Sequence, residues 1–310
     1  MKRGIKTAFL MIASLGIILV SCSVPAKNES GIKVVASTTL VGDVVQQIGG
    51  NKISLTVLLP VGADPHNFEP RPQDAVAISE AQIIFLNGLE LEHSLEPLIT
   101  SNAKGPVIEV SQGIEVLPFN ETAAQAATSQ SHDHATGDPH TWMDPTLVKI
   151  WVANISSALS AADPDNAEYY KSNSQLYETQ LTELDAWIQI EVASIPAAHR
   201  KLVTDHESLG YFSHRYGFEL VGLVVPSLSS SASPSAQELA TLEDTILTQG
   251  VPAILVDTTV NPSLSQQVAK DTNIKIISIY NGSLGDTESG VTSYIKFMRA
   301  NVQAIVDGLK

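Results

Sequence analysis

A single cysteine, Cys22, serves all 310 residues, so no disulfide can form within the chain and the fold must be stable from its core alone. Positive charge is scarce as well: 18 Lys and Arg stand against 33 Asp and Glu, a formal net charge of -15. So acidic a chain is poorly equipped to displace the counterions of nucleic-acid phosphates, which argues against nucleic acid as a partner. It suits a soluble surface that gathers cations. Enzymatic signatures are missing too. The chain has no His-Glu-x-x-His helix, no Gly-x-Ser-x-Gly elbow and no Gly-rich phosphate loop, which moves the balance from catalysis toward binding.

What is present is length and apolar content. Hydrophobic residues make up 44% of 310, more chain than one core usually organises, so two lobes are expected. The first segment stands outside them. Met1 to Lys6 is basic, Thr7 to Val20 is an apolar run too short for a comfortable membrane span, and Leu19-Val20-Ser21-Cys22 follows. That ending resembles the bacterial lipobox, which implies that residues 1–21 are a lipoprotein signal peptide and that Cys22 carries the lipid anchoring the protein to a membrane. An ordinary signal peptide with an incidental cysteine is the other reading. Residues 22–31 are polar and contain proline, as expected of a tether.

From Ile32 onward strands and helices alternate. Ile32 to Thr38, Ile53 to Leu59, Gln82 to Asn87 and Val107 to Val110 read as strands, with helices expected over Leu40 to Ile48, Pro72 to Ala81 and Leu91 to Ser101. Such short-spaced alternation implies a parallel sheet with covered faces. The stretch 111–137 lacks this rhythm and reads as a surface loop. Asp144-Pro145 then makes a good helix start, running to about Ala161. A helix-compatible stretch follows from Asp163 to Pro196, long enough to join two lobes. Beyond it the alternation resumes, with strands over Leu202 to Thr204, Glu219 to Val225, Ala253 to Asp257 and Lys275 to Tyr280. Helices are expected over Ser208 to Tyr216, Ala236 to Gln249, Pro262 to Thr272 and Thr292 to Leu309. The expected organisation is α/β: an N-terminal lobe over 32–162, a linking helix over 163–196 and a C-terminal lobe over 197–310.

Three histidines recur at strand-exit, helix-entry corners: His66 in Asp64-Pro65-His66, His140 in Asp138-Pro139-His140, and His206 in Asp205-His206-Glu207. The proline restricts the backbone just before the first two of these side chains. Imidazoles brought by distant loops to the carboxyl ends of parallel strands are the pattern of a metal site in a cleft between lobes. His93, His199 and His214 read as surface. His132 and His134 lie in a polar run that can hold a metal weakly.

The strings Asp64-Pro65-His66 with Glu69-Pro70, Asp138 to Pro145, Asp205-His206-Glu207 with Gly210-Tyr211-Phe212, and the ending Tyr294 to Asn301 resemble the metal-binding lipoproteins of zinc and manganese ABC importers. The resemblance spans nearly the whole mature chain in order. It implies two α/β lobes joined by one long helix, a metal between them held by His66, His140 and His206, and delivery to a membrane permease and its ATPase. It also implies a monomeric protein anchored by lipid and facing the periplasm or cell exterior. The chain departs from the family at the fourth ligand, because the usual aspartate position falls on Gly282. Asn281, Asp286, Glu207 or a water are the candidates for the gap. Asp257 reads instead as a cap for the helix after Pro262. Three imidazoles without the usual carboxylate tilt the metal toward zinc over manganese. Two rivals stand: an exported zinc-dependent hydrolase with Glu207 as general base, and a cell-surface adhesin on the same fold.

Overall fold

In a computed structural model of the protein, residues 31–120 and 137–310 are described; the leader, Cys22, His132 and His134 lie outside them. The first sheet is built from β1 (Ile32–Ala36), β2 (Ile53–Val57), β3 (Ile83–Leu86) and β4 (Val107–Glu109), all parallel, in the order β2-β1-β3-β4. The second repeats the order with β5 (Lys201–Thr204), β6 (Glu219–Leu223), β7 (Ala253–Asp257) and β8 (Lys275–Ile279), as β6-β5-β7-β8. In each sheet the chain moves from its first strand to one neighbour and then crosses to the other side. The loops leaving the two central strands therefore diverge and open a crevice at the carboxyl edge.

Side-chain alternation along the strands sorts the core into layers. Val34 and Ala36 of β1, Ile83 and Phe85 of β3, Leu202 of β5, and Ala253 and Leu255 of β7 face one large central core. Their neighbours Val35, Ile84 and Leu86 face an outer cluster with Ile78, Leu95 and Ile99. Val203, Ile254 and Val256 do the same in the other half, against Leu242, Ile246 and Val268.

The central core is shared by both sheets and filled by α1 (Thr39–Gly49), α4 (Pro145–Ala162), α5 (Ala167–Ala193) and α9 (Tyr294–Leu309). Helix α5 has 27 residues, about 40 Å at 1.5 Å per residue. Its first half holds the first sheet's side, where Asn173 donates to the carbonyl of Ile48 at 2.9 Å. Its second half holds the other: the buried Asp185 carboxylate accepts from Arg215 at 2.6 and 3.1 Å and from the Tyr216 hydroxyl at 3.0 Å. The remaining helices, α2 (Pro72–Glu80), α3 (Glu96–Asn102), α6 (Gly210–Tyr216), α7 (Ala236–Gln249) and α8 (Ser263–Thr272), complete the layers.

Three local expectations differ from the structure. The helix expected from Leu91 is a short tight turn over His93–Leu95 before α3; His93 is exposed there, while its neighbour Glu92 is buried. Glu92 accepts from the Ser37 hydroxyl and from the amides of Asn87 and Gly88, which holds a bend where Leu89 and Glu90 take positive φ of 56° and 61°. His199 is not free surface, since its Nδ1 lies 2.7 Å from the Leu309 carbonyl and ties down the end of α9. Asp257 caps no helix; its oxygens serve the loop after β8.

Candidate metal centre

His66 follows β2, His140 precedes α4 and His206 follows β5, and the folded chain brings all three rings together. Ring centroids lie 5.3 Å apart for His66 and His140, 5.5 Å for His66 and His206, and 5.3 Å for His140 and His206. One nitrogen from each lies within 4.8 Å of the others. Nε2 of His66 is 3.2 Å from Nε2 of His140. Two nitrogens bound to one tetrahedral zinc at about 2.0–2.1 Å would stand about 3.3 Å apart, so the spacing fits a shared ion.

Each loop aims its imidazole by the same device, an aspartate that accepts from the histidine's own backbone amide. Asp64 does so for His66 at 3.0 Å, Asp138 for His140 at 2.9 Å and Asp205 for His206 at 2.8 Å. The Pro-bearing motifs thus make a turn in which the aspartate, not only the proline, fixes the backbone. Asp138 and Asp205 also face the Nδ1 of their histidines, at 2.7 and 3.0 Å. A carboxylate at Nδ1 holds the proton there and leaves the Nε2 lone pair for a metal. Consistent with this, the buried Nε2 of His206 has no hydrogen-bond partner.

Burial and charge set the protonation of these groups. Burial holds the His140 imidazole well below its ordinary value, and the neighbouring His206 pushes it further down. Burial also pulls on His206, but the Asp205 carboxylate, with Asp257 and Asp64 behind it, raises it overall. Asp138 is pushed up to about 7 by burial. His140 therefore stays neutral, as a ligand must, while His206 is the imidazole for which protons compete.

Behind the rings stands a second layer that sequence reasoning missed. Trp142 packs edge-on against His140 with centroids 5.2 Å apart, and its indole nitrogen donates to the Asn281 carbonyl at 3.1 Å. The buried Asp257 accepts from the amides of Asn281 at 3.2 Å and Gly282 at 3.0 Å, while its own amide donates to Asp205 at 2.8 Å. Burial, with the Asp205 charge, raises Asp257 to about 6. The repeated Asp before each histidine was the available signal for Asp64, Asp138 and Asp205. Nothing local in the sequence marks Asp257 or Trp142 as supports.

The candidates for a fourth ligand separate cleanly. Asp286 is exposed and accepts from the Ser289 amide at 2.8 Å, in a turn of its own. Both oxygens of Glu207 accept from the Asn120 amide, at 2.9 and 3.0 Å, and burial raises this carboxyl to about 8. At Gly282 a Cβ would stand 2.7 Å from Cδ of Pro65, so the His66 loop lies where a side chain would begin. Asn281 is buried, and its side-chain oxygen has no partner. Among the described residues, His66, His140 and His206 alone form a group of three side chains that could hold a metal ion.

Two parallel α/β sheets with a buried cluster of imidazoles at their carboxyl edges define a solute receptor for a metal ion. The profile of the family described as the periplasmic component A of the zinc-uptake complex, ZnuA, matches residues 34–308, and the chain belongs to that family. It is a metal-binding, substrate-binding protein of the ABC-transporter kind, and not an enzyme. It is similar to the manganese-binding lipoprotein MntA of Halalkalibacterium halodurans, 34% identical over 92% of this chain and 90% of the relative. The manganese ABC transporter substrate-binding lipoprotein PsaA of Streptococcus mitis is 30% identical over 99% of both chains. Among solved structures, the Mn-bound periplasmic metal-binding protein of Candidatus Liberibacter asiaticus superposes with a TM-score of 0.78 at 27% identity, covering 89% of this chain and 99% of that one. The periplasmic zinc-binding protein TroA of Treponema pallidum gives 0.78 at 26% identity, over 90% and 99%.

Proposed function

We propose that this protein is the lipid-anchored, extracytoplasmic receptor of a metal importer, that it captures zinc in preference to manganese through His66, His140 and His206, and that it hands the ion to a permease driven by an ATPase. The observation that carries the zinc assignment is the donor set: three imidazole nitrogens converge, and among the described residues no carboxylate joins them. Imidazole suits zinc, whereas manganese favours sites rich in carboxylate oxygen. The relatives named for manganese make the metal the point to test. The lipoprotein relatives support Cys22 as the anchor, because it lies where the lipobox requires a cysteine.

Three protein nitrogens leave one tetrahedral position for water. An ion held so is exchangeable, which suits delivery. Competition calorimetry at neutral pH on metal-free protein tests the assignment. One tight zinc site, with manganese weaker by at least about 100-fold, is expected from the Irving–Williams order and ligand softness. Equal or tighter binding of manganese would overturn it.

A further inference from the structure

The Ser- and Pro-rich run Ser227 to Ser235, between β6 and α7, has no part in the site described so far, yet it meets the His66 loop across the cleft. Ser230 donates its hydroxyl to Oδ2 of Asp64 at 2.5 Å, and Asn67 donates to Ser230 at 3.2 Å. Ser231 donates to the side-chain oxygen of Asn67 at 2.6 Å. The other oxygen of Asp64 accepts the backbone amide of His66. One carboxylate therefore connects a serine on the second half of the chain to the backbone that carries a metal-binding imidazole on the first.

The surroundings let this contact move. His66 is half-buried, whereas His140 and His206 are fully buried. Behind Ser230 lies a cavity of about 190 Å³, bordered also by Asp205, His206, Val225 and Leu264, so the serine loop backs onto open space and not onto packed core. A second grip on the same loop comes from Ser283, which accepts from the Gly62 amide at 2.9 Å. That grip is supported from behind, since the Thr39 hydroxyl accepts the Leu284 amide at 2.9 Å.

We propose that Ser230 and Ser231 are positioning residues for metal retention: they latch the His66 loop through Asp64 and Asn67, and so set how long the ion stays. The inference rests on the metal-receptor reading above. Its mechanism is local. When the latch parts, Asp64 loses a hydrogen-bond donor, the turn that aims His66 loosens, and the ion is left with the two imidazoles anchored deeper in the fold.

The test is zinc release from the full mature chain into excess chelator, followed by stopped flow. Ser230→Ala with Ser231→Ala is expected to release zinc about tenfold faster, the scale of one hydrogen bond to a charged group. Ser230→Thr in the Ser231 background keeps the hydroxyl and is expected to restore the native rate. Asn67→Ala removes the partner of Ser231 and the second contact of Ser230, together with the bond that Asn67 donates to Asp64 at 2.8 Å, and is expected to accelerate release likewise. The melting temperature of the metal-free variants is expected to stay at the native value, which a general packing role would not allow. Native release rates in both alanine variants would overturn the latch and leave the receptor reading standing. A wild-type chain that retains no zinc would overturn both.

Discussion

The two sides of the candidate site are built differently. On the floor, His140 and His206 are buried, each faces an aspartate at Nδ1 and at its own amide, and Asp257 braces Asp205 from below. On the rim, His66 is half-buried and its loop is held from across the cleft by Ser230, Ser231 and Ser283. The floor comes from both halves of the chain, and each of its imidazoles is aimed by an aspartate of its own loop, with Asp257 behind Asp205 and the Tyr211 hydroxyl on the Asp138 carbonyl at 2.8 Å. The rim depends on the two halves lying together. Two buried donors and one half-buried one are the arrangement on which the proposed latch acts.

The sharpest way to break this comparison is to remove a floor ligand. His140→Ala is expected to weaken zinc binding by more than about 100-fold in calorimetry, because two imidazoles cannot replace a chelating third. Unchanged affinity would remove His140 from the site. Asp205→Asn keeps the shape but loses the charge behind His206. It is expected to lower affinity by about 10–100-fold, the range for carboxylates that orient a metal-bound histidine. Binding that is insensitive to this change would mean that the backbone alone aims the ring.

Acid separates the two floor histidines. A ligand must be neutral to bind, and His140, held low by burial, remains so as pH falls. His206 is raised, so its proton competes first, and zinc affinity is expected to begin falling above pH of about 6.5. The slope should approach about tenfold per pH unit, one proton displaced per ion. Affinity that holds to well below the ordinary imidazole value would contradict the Asp205 effect. The smallest change is expected at the rim's contact with the floor. Gly282→Ala places a Cβ against Pro65, with overpacking of about 1–3 kcal/mol read as a lower midpoint in denaturant. An unaffected midpoint would show that the His66 loop yields at no cost.

Much of this was legible in order. Short apolar runs between helical stretches marked the strands, and Ala236–Gln249 and Ala253–Asp257 match their expected bounds because caps and apolar patterns agree there: Ser235 and Glu238 form a capping box, and all five residues of β7 are buried. Asp144 likewise caps α4, accepting from the Thr146 amide at 2.7 Å. His199 was misread because a polar residue in a loop looks solvated in sequence, and only long-range packing, here against the Leu309 carbonyl, ties it down. Asp257 was misread for another reason. Its position before a helix suggested a cap, but its carboxylate accepts from the Thr259 amide and hydroxyl and from two amides 24 and 25 residues further on.

By itself the sequence determined the α/β alternation, the three candidate histidines and the aspartate that precedes each, since all of these are local and are written in spacing and turn chemistry. Only the tertiary structure decided that the imidazoles meet, that Pro65 occupies the space beside Gly282, and that serines from one half grip the loop of the other. Those outcomes depend on contacts between segments far apart in the chain, whose approach is set by the packing of a shared core and by no motif in either segment.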